Sequence, residues 1–289
     1  MALTESVREI ARAVCDNPEH VTIDEKAIQK TATELRNSPL RRWSEESRTM
    51  THDEKVKVIL LELTAGAVNY CYWYGRHNVR PCGASSNTMY KLLMKAASNF
   101  SCWCIPLVET FYKELVWHRF PMLKERHDHL QELIAGWSRA QQFAEMVIID
   151  GGAKSDFIDE ILEYLVSSFT GYASDVFLKR AQLLLHQIHR KTGLLDTSRC
   201  TVPADYQVPR ILHHKRCLIY SQELDDRIAC QEPISKGSVY EVEIRAATIM
   251  ACDAIANAAE STPLAVDNFL WQSRKECTSP FHLTVTTDY

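Results

Sequence analysis

"KGSVYEVEIRAATIMACDAIANAA", Lys236 to Ala259, carries the clearest helical signal in the chain. Ser238 and Glu241 stand in the Ser-x-x-Glu order of a capping box, directly after Lys236-Gly237. The spacing therefore predicts a helix over Val239–Ala259. Glu241 lies four residues before Arg245, the favourable orientation for an exposed helical ion pair.

The same helical periodicity recurs along the chain. It predicts helices over Glu5–Cys15, Asp24–Asn37, Asp53–Trp73, Thr88–Ala97, Pro106–Val116, Met122–Phe143, Asp156–Ser167, Asp175–Lys191, Pro209–Leu218 and Gln222–Ala229. Strand signals are weak: "VTI" at Val21–Ile23 has a β character, and the C-terminal "HLTVTTDY" alternates suitably. The expected class is all-α with at most a small strand element. No internal repeat appears. "DGGAKSD", Asp150–Asp156, is the best hinge, which predicts two helical lobes, 1–150 and 151–289. Together they would form one compact unit with the site between them.

With 289 residues, 46% hydrophobic and 24% charged, the chain has ample length for a large core. Its 33 basic and 37 acidic residues give a net charge of −4 without a like-charge block. A duplex-binding protein needs a concentrated cationic face, so direct nucleic-acid binding is not expected. The N-terminal "MALTESVREIARAVC" has charges where a secretory signal needs an apolar run. The apolar run Val56–Trp73 is interrupted by Lys57 and Glu62 and reads as a buried helix, not a membrane span. Ten cysteines at scattered spacings, without export, are expected as reduced thiols in the cytoplasm. Nine glycines, with no Gly-x-Gly-x-x-Gly or Walker-type loop, argue against a dinucleotide or triphosphate cradle.

Metal sites are not expected either. His127 and His129 are two apart and cannot share a helix face. His186 and His189 can, but no partner ligands arrive at a recognisable spacing, and Cys102-Trp103-Cys104 is not a zinc pattern. Gly-x-Ser-x-Gly is absent.

Three segments hold more polar chemistry than a core needs. "TVPADYQVPRIL", Thr201–Leu212, sets Asp205 between Pro203 and Pro209, which disfavour a continuous helix through the segment. Asp205 belongs at or just before a helix start, either as a plain cap or aimed at a ligand. "VNYCYW", Val68–Trp73, would cluster Asn69, Tyr72 and Trp73 on one helix side. That cluster is either satisfied aromatic packing or a wall for a flat heterocycle. Lys179 and Arg180 fall in the first turns of a helix, where the dipole disfavours cations. A bound phosphate would relieve this, and so would an exposed pair with Asp175.

"VNYCYW", "FLKRAQLL", "PADYQVPRIL", "YS-x-x-L" at Tyr220–Leu224, "GSVYEVEIRAATI", "VDNFLW" at Val266–Trp271 and "PFH" at Pro280–His282 follow in order. Together they closely resemble the queuosine salvage proteins, from about Val21 to the C-terminus. The resemblance implies a DNA-glycosylase-like helical fold and hydrolysis of queuosine 5′-monophosphate to free queuine, with no cofactor. It implies Asp205 as the catalytic carboxylate, stabilising an oxocarbenium-like sugar and orienting water. Asp267, near Trp271, would meet the cationic secondary amine of queuine. Lys179, with Arg180, would hold the 5′-phosphate. Asn69 and Trp73 would line the base, Tyr206 would bear on substrate choice, and His52 would contact the ligand. Glu241 and Glu243 read as structural acids, and Asp267 also reads as a helix cap.

The chain departs from the family pattern at Pro203 or Ala204, where an aromatic is usual, and at Gln272, where an acid is usual. Gln207 and Arg210 stand as a swapped pair. The loop before "FLKRAQ" is shorter. The rival reading is a non-catalytic or nucleic-acid-binding protein on the same scaffold, which salt-sensitive duplex binding would reveal.

Overall fold

The computed structural model describes residues 2–38, 50–74, 78–150 and 157–289. Among them the secondary structure is almost entirely helical, with one two-stranded sheet. The hinge expected at Asp150–Asp156 lies, from 151 onward, outside the described residues.

The described residues fall into two compact units that interleave along the sequence. One contains 2–38, 78 and 198–285; the other contains 50–74, 79–150, 157–197 and 286–289.

The first unit is built around the helix Val239–Ala258, against which Leu3–Cys15, Glu25–Asn37 and Pro263–Ser273 pack. Ser238 caps it by accepting the backbone N–H of Glu241. The Glu241 side chain reaches back to the N–H of Gly237, one residue beyond the usual target of a capping box. Residues on every side of this helix are buried, among them Ile244, Ala247, Ile249, Ala251 and Ile255. The Glu241–Arg245 pair expected at the surface is therefore a buried one, with side chains only 3% and 2% exposed. The central position of the helix overrides the i, i+4 reading, which says nothing about burial.

The sheet pairs Val21–Ile23 antiparallel with Leu218–Tyr220. The helix expected over Pro209–Leu218 runs instead over Gln207–His214, so that Leu218 is free to enter the strand. Glu243 secures the first strand by accepting the backbone N–H groups of Glu19, His20 and Val21 at 2.7–2.9 Å. The C-terminal "HLTVTTDY" forms no named strand; Leu283 contributes an isolated bridge to Pro233.

The second unit centres on His52–Ala67, which packs on Lys179–Thr192 and Trp137–Asp150. This helix stops six residues before the predicted end at Trp73. The predicted Met122–Phe143 helix is two, Leu123–Ala135 and Trp137–Asp150. Gly136 divides them where a Cβ would come within 2.9 Å of the Phe169 ring. The helix predicted from Asp175 begins at Lys179. Asp175 is buried, and its carboxylate accepts the backbone N–H groups of Phe177 and Lys179. It caps the start of the helix and is not an exposed partner.

Candidate active site

The Asp205 corner is assembled wholly within the first unit. Pro203 and Ala204 are buried, Tyr206 has helical backbone angles (φ −87°, ψ −15°), and the helix proper begins at Gln207. Asp205 Oδ1 accepts the backbone N–H of Gln207 at 2.6 Å and that of Val208 at 3.4 Å. These are two of the donors a helix start leaves unpaired. Pro209 sits in the same first turn, where its missing N–H costs nothing. The half-buried carboxylate is thus the cap of the Gln207–His214 helix, as one of the two sequence readings required.

Three contacts brace the corner. Arg245, from the central helix, donates Nε–H to the carbonyl of Ala204 at 3.0 Å and Nη1–H to Glu241 at 3.2 Å. The Tyr206 ring packs on Phe281 with centroids 4.6 Å apart. Arg210 donates to the carbonyls of Ser279 and Cys277, tying the helix to the segment that leads into "PFH". Arg210 Nη1 also donates to Gln207 Oε1 at 3.3 Å. The swapped pair is therefore a contacting pair at i, i+3, and reversing its ends can preserve the contact. His282 is buried; desolvation, aided by the charge of Arg245, pushes its pKa down to about 3.

Asp267 is also buried and lies in the same unit, inside the helix Pro263–Ser273. Thr262 caps that helix by accepting the N–H of Ala265, so Asp267 is not the cap. Trp271 follows one turn later, with the Arg274 guanidinium 3.4 Å from its ring centroid.

The second unit contains the remaining predicted residues. Residues 68–73 are not helical, so Asn69, Tyr72 and Trp73 do not share a helix face. Asn69 and Tyr72 still meet: the phenol donates to Asn69 Oδ1 at 2.6 Å. Trp73 is buried, and Arg80 lies 5.8 Å from its ring centroid. What holds this segment is Arg126, which donates to the carbonyls of Val68, Tyr70, Cys71 and Pro121. Arg180 is used similarly, donating to the carbonyls of Ala67 and Gly171 and stacking near Tyr70 and Tyr172.

Lys179 is buried beside Arg180 in the sequence. Asn69 and Arg180 line a narrow crevice with Glu62 and Tyr90. Glu62 accepts the Tyr90 hydroxyl at 2.7 Å and pairs with Lys191. His52 is exposed at a helix start; its hydrogen bond to Glu145, 2.9 Å, raises its pKa.

Arg126, Arg245 and Glu62 were not singled out from the sequence. Arg126 sits in the polar run "KERHDHLQEL", which gives no hint that one of its charges is buried. Arg245 was visible only as the partner of Glu241. Among the described residues no three His, Cys, Asp or Glu side chains are grouped to hold a metal ion. No described helix is long and apolar enough to cross a membrane.

Comparison with known proteins adds to this geometry. A queuosine 5′-phosphate N-glycosylase/hydrolase of Sphaerobacter thermophilus is 29% identical, with 96% of each chain covered. One of Mus musculus is 24% identical over 96% of this chain and 97% of its own length. One of Schizosaccharomyces pombe is 33% identical over a shorter 108 residues. Residues 49–289 match the family model described as queuosine salvage protein, and the chain belongs to that family.

Proposed function

We propose that this chain hydrolyses the N-glycosidic bond of queuosine 5′-monophosphate, releasing queuine for salvage into tRNA. The observation that carries the reading is the span of the likeness. Two relatives named for this activity align over 96% of the chain, and the family match contains the whole Asp205 corner.

In the proposed reaction the bond between C1′ and the base nitrogen breaks, its electron pair leaving with the base. Water adds its oxygen to C1′, its proton ends on the base nitrogen that left, and the sugar departs as ribose 5-phosphate. The breaking bond gives the sugar oxocarbenium character, and a fixed carboxylate near C1′ stabilises that charge and orients the water. Asp205 takes this role. Backbone N–H groups hold its Oδ1, so little reorganisation is needed as charge develops.

The base is a 7-deazapurine, with carbon where a purine would take up a proton. Its developing negative charge must be spread by hydrogen bonds to the base edge. Asp267 is the proposed partner of the secondary ammonium of queuine, with Trp271 beside it. Lys179 is the proposed phosphate partner, with Arg180 next to it in the chain, as the family resemblance implies. The acidic balance argues against direct nucleic-acid partners. Ten cysteines, with no disulfide among the described residues, suit a reducing cytoplasm.

The test is incubation with queuosine 5′-monophosphate and chromatography for queuine. Wild type is expected to release it and Asp205→Asn to release essentially none. No release by wild type, with tight salt-sensitive duplex-DNA binding instead, would favour a binding protein on this scaffold.

A further inference from the structure

We propose that Arg245 is a positioning residue for Asp205, holding the peptide that presents the carboxylate through the carbonyl of Ala204. This inference rests on the reading of Asp205 as the catalytic carboxylate.

The Ala204 carbonyl belongs to the planar peptide whose nitrogen is that of Asp205. Fixing this oxygen fixes the orientation of the bond entering the Asp205 Cα. Arg245 does so from one side with Nε, at 3.0 Å. From the other side the N–H groups of Gln207 and Val208 hold the carboxylate itself. Asp205 is therefore restrained at its backbone by a side chain from another helix and at its side chain by its own.

Arg245 is in turn oriented by Glu241, one helical turn away, which accepts Nη1–H at 3.2 Å. Glu241 is anchored by the N–H of Gly237 at 3.0 Å. The relay runs from a helix cap, through a buried ion pair, to the corner of the site.

Stability does not account for this arrangement. Arg245 is flanked by Ile244, Ala246 and Ala247, all buried. A buried ion pair in such surroundings adds little over apolar residues of similar size, because both charges must be stripped of water. Orienting a carbonyl at the mouth of a helix is a task an apolar residue cannot do.

Lysine cannot do it fully either. The planar guanidinium sends donors toward Ala204 and Glu241 from two atoms at fixed angles, whereas an ammonium is a single point on a flexible stem.

The experiment measures queuine release under steady-state conditions. It compares wild type, Asp205→Asn, Arg245→Lys and the double variant Arg245→Met with Glu241→Gln. The double variant removes both buried charges yet keeps an acceptor for Gly237. Its kcat is expected to fall about 100-fold, the scale of a 1 Å misplacement of a catalytic group. KM should move by less than about threefold, because substrate-binding groups are untouched. Arg245→Lys should lose about 10-fold in kcat, since charge without the fork gives only part of the geometry.

A double variant with kcat within about twofold of wild type, or a loss confined to KM, overturns the proposal when Asp205→Asn is inactive. Full activity of Asp205→Asn, or none in wild type, would instead remove the reading on which it rests.

Discussion

Asp205 Oδ1 lies 2.6 Å from the backbone nitrogen of Gln207, so the carboxylate proposed to act on the sugar is also the cap of its own helix. Capping and catalysis make different demands on the side chain, and substitution separates them.

Asparagine caps a helix about as well as aspartate, while alanine costs about 1 kcal/mol. Asp205→Asn is expected to keep the wild-type unfolding midpoint yet lose queuine release by a factor of at least about 100. Asp205→Ala should lose both activity and about 1 kcal/mol of stability in urea titration. An active Asp205→Asn would leave only the cap.

Glu243 gathers three backbone N–H groups, those of Glu19, His20 and Val21, and is itself buried. Glu243→Ala leaves these donors unpaired beside the sheet and should destabilise the protein by about 3 kcal/mol. Hydrogen exchange should show the amides of 19–23 losing protection ahead of the helix Val239–Ala258. Unchanged exchange there would argue that water replaces the carboxylate.

Arg126 donates to the carbonyls of Val68, Tyr70, Cys71 and Pro121 from a fully buried position. Arg126→Met removes every one of these donors and is expected to cost at least about 3 kcal/mol. Arg126→Lys retains charge but has no planar fork to serve four carbonyls, so it should recover less than half of the loss. Thermal melts of the two variants beside wild type check the order.

His282 has a pKa of about 3 in the folded chain, against 6.5 for the free side chain, because it is buried near Arg245. Between these values the unfolded chain takes up a proton that the folded one refuses. Stability is therefore intact above pH 6.5 and falls as pH is lowered, by up to about 1.4 kcal/mol per unit for this residue. His129, pushed down to about 4 by burial and Arg180, acts with the same sign. Urea midpoints at pH 7 and pH 5 should differ in wild type, and His282→Gln should reduce but not abolish the difference.

The existence of most helices was legible because apolar residues recur at the helical period, and the Ser238 cap marks the start of the central one. The Gln222–Ala229 helix was predicted to the residue. Asp205 was legible as a capping carboxylate because flanking prolines act locally. The catalytic role proposed for it comes from resemblance, since the local pattern left both readings open.

The failures share one cause. The Asp53–Trp73 run has nothing in its own pattern to stop it at Ala67. It ends there because Arg126, distant in sequence, takes carbonyls of Val68, Tyr70 and Cys71 that would otherwise accept helical N–H groups. Likewise Glu241 and Arg245 have the same spacing whether their helix lies at the surface or in the centre. Periodicity and caps are properties of neighbouring residues and are written along the chain. Which buried carbonyl a guanidinium reaches depends on how helices pack, so the meeting of Arg245 with Ala204 beside Asp205 arises only on folding.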